Sequence, residues 1–117
     1  MLMLPPSVRI YLASEPTDMR NQMDGLAAKI QRWGGNPFDG HLYVFLSKHR
    51  DRVKILTWSR GGFVLWYKRL EKSRFRMPPV DAEEKTMTLD AGQLAMLLDG
   101  IDFSRVKRSI WEPEKAA

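Results

Sequence analysis

The sequence of 117 residues has no cysteine and only two histidines. The lack of cysteine excludes disulfides, thiolate catalysis and cysteine-based metal sites. His41 and His49 have no third ligand at the spacing that metal sites require. We therefore expect neither a metal nor a cofactor.

Long hydrophobic runs are lacking as well. The longest uninterrupted apolar runs, such as Leu94 to Leu98, have five residues, whereas a membrane-spanning helix needs about 20. The segment from Met1 to Pro6 has neither the basic flank nor the apolar stretch of a signal peptide. The expectation is a cytoplasmic protein that does not contact a membrane.

Recognisable catalytic patterns are also missing. The segment Arg60-Gly61-Gly62 lacks the following helix and the Lys-Ser/Thr pair of a phosphate-binding loop. The serines have no histidine at a spacing typical of nucleophilic catalysis, and no motif sets two carboxylates up for metal-assisted phosphoryl transfer. We therefore expect a protein that is not an enzyme.

The composition that remains is that of an ordinary folded domain. Apolar residues make up 44% and charged residues 28% of the chain, close to the averages of globular proteins. A chain of this length forms one domain in most cases, and no linker or repeat divides it. We expect a single domain over residues 1–117, with a core at about 8–103 and a C-terminal tail at 104–117.

Hydrophobic periodicity predicts an α+β fold. Alternating apolar residues predict a strand within 8–13, and apolar residues spaced by about 3.6 predict a helix from about 18 to 33. Thr17 or Asp18 is predicted to cap that helix, and Gly34 to end it. Next comes an antiparallel β-meander, packed against this N-terminal helix and a shorter C-terminal helix beside it. The later predicted elements are strands at 42–47, 52–59 and 63–70, sheet extensions at 75–77 and 86–89, and a helix at about 91–99 capped by Asp90.

Positive charge is concentrated in one part of the chain. The net charge of +5 comes from 19 Lys and Arg against 14 Asp and Glu. The window from Lys48 to Arg76 carries a net charge of +8, so the remainder carries −3. A surface that binds phosphates needs such segregation, because each neutralised phosphate releases counterions.

Strand parity predicts which of these side chains share a face, because alternate residues of a strand point the same way. Lys54 and Trp58 are predicted to lie on one sheet face with Trp66 and Lys68. A helix covering only the opposite face would leave this face open to a ligand. Cations interleaved with indoles could contact phosphates and stack on bases.

Several short motifs, taken in order and at their spacing, resemble a known family. From about Val8 to Phe103 the chain is similar to the small accessory protein, often labelled TnpB, that is encoded beside the transposase in bacterial insertion sequence 66 elements. The resemblance implies a non-catalytic role in DNA transposition beside a larger transposase, and it carries over no established functional residue. The motifs are Thr17-Asp18-Met19-Arg20, Asp24-Gly25-Leu26, Pro37-Phe38-Asp39-Gly40, Arg52-Val53-Lys54-Ile55-Leu56, Tyr67-Lys68-Arg69-Leu70-Glu71 and the closing segment 97–103.

The leading hypothesis is an accessory protein that binds DNA through the basic region of the sheet. Its contacts would be made to phosphates, which position a protein without reading sequence. The residues predicted to contact DNA are Lys48, Arg50, Arg52, Lys54, Trp58, Lys68, Arg69, Arg74 and Arg76.

The alternative is a protein-interaction subunit that docks on the transposase or on other proteins of the same element, without direct DNA contact. Docking would use the apolar tail around Ile110 and Trp111, or strand addition at an exposed sheet edge. The same edge would allow a homo-oligomer. A third hypothesis, a small nuclease, requires carboxylates that hold a divalent metal.

Overall fold

The computed structural model describes residues 4–101, and its secondary structure confirms the α+β fold. Most elements lie within a few residues of their predicted positions. In chain order they are β1 (Ile10–Ala13), α1 (Met23–Arg32), β2 (Leu42–Leu46), β3 (Arg52–Ser59), β4 (Gly62–Arg69), β5 (Thr86–Leu89) and α2 (Ala91–Leu98).

The strands form one sheet in the order β4-β3-β2-β1-β5. The strands β2, β3 and β4 are the predicted antiparallel meander. The first strand pairs parallel to β2, with Ile10 opposite Leu42, and antiparallel to β5 on its other side. A parallel pair needs a crossover connection, which α1 provides. The carboxyl ends of β1 and β2 therefore lie at the same end of the sheet.

The helix α1 covers one face of the sheet. Its residues Leu26 and Ile30 are fully buried and form a cluster with Phe45 of β2 and Leu56 of β3. The three-to-four-residue spacing of the apolar positions in α1 places them on this single face. The prediction that this helix packs against the meander is confirmed.

The helix α2 covers the opposite face, so it does not lie beside α1 as predicted. Leu94 and Leu97 join Val44 and Ile55 in a second buried cluster. The residue Phe75, 1% exposed, is part of this cluster and is not in a strand. The prediction of an open sheet face was therefore wrong. All five residues of β2 are buried, which explains why this strand is continuously apolar instead of alternating.

The helix α1 begins later than predicted. Its N-cap is Gln22, which makes no capping hydrogen bond through its side chain, so neither Thr17 nor Asp18 caps it. The Asp18 carboxylate instead accepts a hydrogen bond from the backbone N–H of Arg20 at 2.9 Å, inside the preceding loop. At the other end, Gly34 follows the helix with φ 85°, which fits the predicted stop.

The helix α2 begins with the predicted cap. The Asp90 carboxylate accepts a hydrogen bond from the backbone N–H of Gln93 at 2.7 Å. In return, the Gln93 side chain accepts one from the backbone N–H of Asp90 at 2.9 Å. This reciprocal pair is a capping box, which satisfies two N–H groups that have no partner within the helix.

A two-residue turn joins β3 to β4 and fixes their register. Arg60 and Gly61 both have positive φ, at 50° and 85°, as in the tight turns whose twist matches that of a hairpin. The turn places Ser59 opposite Gly62 and Trp58 opposite Phe63. A one-residue change in this turn would move every side chain of β4 to the other face.

Replacing Gly61 by alanine should lower the free energy of unfolding by about 1–2 kcal/mol, the cost of a left-handed conformation for a residue with a side chain. A Cβ at this position meets no atom within 4 Å, so the loss would come from the backbone alone. Urea denaturation measures it. Gly62→Ala is the matched control, because its Cβ also meets open space and its φ is not positive. Equal stability of the two variants would contradict the turn assignment.

Candidate nucleic-acid interface

The loop between β2 and β3 is held by internal hydrogen bonds. The Ser47 hydroxyl donates to Asp51 Oδ1 at 3.1 Å and accepts from the backbone N–H of Arg52 at 3.1 Å. Arg50 adopts φ 60°, and its N–H donates to the carbonyl of Ser47 at 3.0 Å. The backbone and the short polar side chains of the loop are therefore hydrogen-bonded to one another. The charged side chain of Lys48 is therefore left on the outside, where it is exposed.

The segment that follows β4 is tied to this loop. The N–H of Leu70 donates to the carbonyl of Asp51 at 2.7 Å, and the N–H of Phe75 donates to the carbonyl of Arg50 at 2.6 Å. Burial of the Phe75 ring fixes the segment on the sheet. Arg74 and Arg76 flank this anchor, so they are brought to the same end of the sheet as the loop.

Exposed cations therefore accumulate at one end of the sheet, which we call the basic end. Arg52 and Arg69 face each other across β3 and β4 there. Arg69 forms an ion pair with Glu71 at 2.8 Å, with both side chains more than half exposed; such a pair contributes little to stability. The basic end consists of Lys48, Arg50, Arg52, Arg69, Lys72, Arg74 and Arg76, all exposed.

A groove of about 590 Å³ opens beside the basic end. One wall is the loop from Pro16 to Arg20, which follows β1, and the other is the loop from Ser47 to Arg52. The N–H of Thr17 donates to the carbonyl of Leu46 at 2.9 Å, which holds the first loop against the end of β2. The groove thus lies at the carboxyl ends of the two parallel strands.

Arg20 is held at the rim of this groove by Asp18. Its Nε and Nη2 atoms donate to the Asp18 carboxylate at 2.6 to 3.1 Å. The hydrogen bonds from the Arg20 side chain, and then that from its backbone, lower the pKa of Asp18 to about 2. The carboxylate therefore stays charged at neutral pH and keeps the guanidinium in place, although both side chains are exposed to solvent.

Lys54 does not lie on an exposed face. It is 5% exposed, and its Nζ donates to the carbonyls of Met19 and Asn21, each at 2.8 Å. The ring of Tyr67 lies 5.5 Å from the same ammonium, and burial lowers the pKa of Lys54. This lysine ties β3 to the chain before α1, so its ammonium is already bound within the protein.

Trp58 and Lys68 do not belong to the basic end. Trp58 lies far from it, and Lys68 points to the sheet face that α2 covers. Trp58 packs edge-on against Phe38 and Phe63, about 20 Å along β3 from Arg52 at the rise of a strand. The Nζ of Lys68 donates to the carbonyl of Leu98 at 2.7 Å, where a cation is favoured at the carboxyl end of α2.

The prediction of one mixed face was wrong because of the β3–β4 register. Lys54 lies opposite Tyr67, and Trp66 lies opposite Ile55. Lys54 and Trp58 therefore face α1, whereas Trp66 and Lys68 face the other way. Six of the nine residues predicted to contact DNA are gathered at the basic end, and Lys54, Trp58 and Lys68 are not. Ile110 and Trp111 lie outside the described residues.

The two histidines do not meet. His41 Nδ1 accepts a hydrogen bond from the backbone N–H of Arg9 at 2.9 Å, whereas His49 lines the groove. Within residues 4–101, no group of three or more histidines and carboxylates could hold a metal ion.

Sequence reasoning did not identify the groove or the position of Arg20 at its rim. The available signal was a β-α-β order, a strand followed by a helix and a second strand, which is typical of a parallel pair with a ligand site at its carboxyl ends.

The fold and the basic end define a small α+β protein with seven exposed cations at one end of its sheet. The chain belongs to the family of IS66 Orf2-like proteins, which it matches over residues 8–108. Membership of this family confirms the resemblance and indicates an accessory role in transposition of an insertion sequence.

Two uncharacterized proteins of Sinorhizobium fredii are similar to the chain over nearly its whole length. The protein y4jC is 34% identical over 119 residues, which cover 98% of this chain and 100% of the relative. The protein y4hO is 38% identical over 117 residues, covering 97% and 98%. No solved structure matches the chain. Neither helix within residues 4–101 has the length and apolar character needed to cross a membrane.

Replacing Lys54 by methionine should lower the free energy of unfolding by about 1–3 kcal/mol, because two carbonyls inside the protein lose their donor. Methionine keeps the length of the apolar stem. The matched control is Lys48→Met, which changes an exposed side chain and should shift stability by less than about 0.5 kcal/mol. Chemical denaturation at neutral pH compares them, and equal values would contradict the structural role of Lys54.

The pH dependence of this difference has a definite sign. The folded pKa of Lys54 lies below its unfolded value near 10.5, so between the two values the unfolded chain binds more protons. The stability of the natural protein relative to Lys54→Met should therefore rise as the pH increases through that window. A fall over the same range would contradict the burial of the ammonium.

Proposed function

We propose that this protein is a DNA-binding accessory subunit of the transposition machinery, and that it contacts the phosphate backbone through the basic end. The observation that carries the proposal is the convergence of seven exposed cations from two loops and two strand ends. DNA carries one negative charge per about 1.7 Å of helix axis and therefore holds condensed counterions. A dense group of cations that neutralises its phosphates releases these counterions, which strengthens binding.

Two lysines of the basic window form hydrogen bonds within the protein, which narrows the proposed contact surface. Lys54 and Lys68 direct their ammonium groups to carbonyls of the protein itself. They contribute to the charge of the window from Lys48 to Arg76, but Lys54 is buried and Lys68 is directed to the carboxyl end of α2, so neither belongs to the basic end. The contact surface is therefore the end of the sheet and not its face.

Backbone contacts of this kind give affinity without reading the base sequence. The two helices pack on the sheet, and α2 carries no charged side chain. Selection of the ends of the element would then come from the transposase, and this protein would add sequence-independent affinity to the complex.

A second candidate function, docking on the transposase, is supported by the outer edge of β4. This eight-residue strand is at the end of the strand order and contains no proline. Val64 and Tyr67, on its two faces, are 47% and 48% exposed. An unpaired, apolar edge strand is a ready site for strand addition by another chain.

The double variant Arg74→Gln/Arg76→Gln should bind duplex DNA about 60-fold more weakly at 0.1 M salt, since each lost phosphate contact costs about eightfold. The slope of log K against log salt concentration should fall in magnitude by about 1.8. Fluorescence anisotropy with a labelled duplex that carries one end of the element measures both quantities.

The control for this variant removes two cations from the opposite end of the sheet. Arg9→Gln/Arg60→Gln changes the net charge equally, because both arginines are exposed there. Its affinity and salt slope should remain close to those of the natural protein. Equal losses in the two double variants would show a general charge effect and contradict a localised interface.

Replacing Val64 by lysine should abolish co-purification with the transposase if the β4 edge is the docking site, because a charged edge opposes strand addition. Met23→Lys is the control, since Met23 is a similarly exposed apolar residue, at 38%, but lies on α1. A complex that survives Val64→Lys and Met23→Lys equally would rule out docking through β4.

A further inference from the structure

We propose that the groove beside the basic end holds one unpaired nucleotide of DNA, with its phosphate at Lys48 and Arg52 and its base against Pro16 and Met19. The proposal rests on the DNA-binding function and deepens it, because it assigns a strand preference. A protein that contacts only the backbone would bind blunt and frayed DNA alike.

The position of the groove is the first argument. In open sheets with parallel strands, ligands bind outside the carboxyl ends of the strands, where the loops diverge. The only parallel pair within residues 4–101 is β1 with β2, and the groove lies between the two loops that follow these strands. The hydrogen bond from Thr17 to Leu46 holds the walls together at their base.

The size and shape of the groove are the second argument. Its volume of about 590 Å³ falls within the range of about 300–1,000 Å³ typical of small-molecule sites. A paired duplex is convex, and its bases are stacked inside, so it cannot fill such a concavity. An unpaired nucleotide can, because its base is free to turn out of the strand.

The chemistry of the walls is the third argument. Lys48, Arg52 and Arg20 supply cations to the rim, and Asp18 uses only part of the Arg20 guanidinium, leaving further N–H donors free. The carboxylates that also line the groove are already hydrogen-bonded: Asp18 by Arg20, and Asp51 by Ser47. The ring of Pro16 and the thioether of Met19 provide apolar surface for a base.

The test compares two labelled probes, a blunt duplex and the same duplex with a short single-stranded overhang. The natural protein should bind the overhang probe at least about fivefold more tightly, the effect of accommodating one base. Absence of this preference, with duplex binding intact, would overturn the nucleotide groove while leaving the proposed function in place. Failure to bind either probe at low salt would overturn the proposed function itself.

Two variants test whether the preference for the overhang probe comes from the groove. Met19→Ala removes apolar surface without changing charge, and Lys48→Gln removes a cation from the rim. Each should reduce the overhang preference to less than about twofold. Arg76→Gln, outside the groove, should weaken both probes equally and keep the preference. Thermal unfolding checks whether Met19→Ala is folded. If Met19→Ala is not folded, Lys48→Gln still tests the groove, because Lys48 is exposed. An undiminished preference in Lys48→Gln would place the nucleotide elsewhere and overturn the proposal.

Discussion

Parallel pairing of β1 with β2 forces the chain to cross the sheet through α1 before the meander can form. The crossover places α1 on one face, and the chain that returns after the meander places α2 on the other. With both faces covered, β2 becomes a fully buried central strand. The exposed cations of the basic end lie at one end of this sheet. The basic end and the groove lie where the two parallel strands terminate, so both depend on this pairing.

Two lysines show how charge is divided between structure and surface. Lys54 binds the carbonyl of Met19, within the groove wall, and that of Asn21, between this wall and α1. It therefore supports the groove from behind. Lys68 binds the last turn of α2. A count of charges along the chain includes all ten basic residues of the window. The fold instead places these two in internal hydrogen bonds and Arg60 in the turn at the opposite end of the sheet, which leaves the seven of the basic end. What remains is smaller and more localised than a basic sheet face.

Local patterns predict the elements of this protein well and their arrangement less well. Alternation and the glycines at 61 and 62 identify the meander, and Asp90 identifies the start of α2, because these signals lie within a few residues of each other. The face on which Lys54 lies depends on the register with β4, and the pairing of β1 depends on a partner about thirty residues away. Neither is encoded in a short window. The late start of α1 has the same cause, since a lysine on β3 holds the carbonyls of the preceding loop. The basic end was partly predictable because its arginines are close in sequence, but the groove needed the parallel pair.

The central claim is that the basic end binds the DNA backbone, and the salt dependence of binding to duplex DNA tests it most directly. Seven exposed cations, if most of them contact phosphates, predict a slope of log K against log salt concentration between about −4 and −6. A slope close to zero, or no binding even at low salt, would contradict the account.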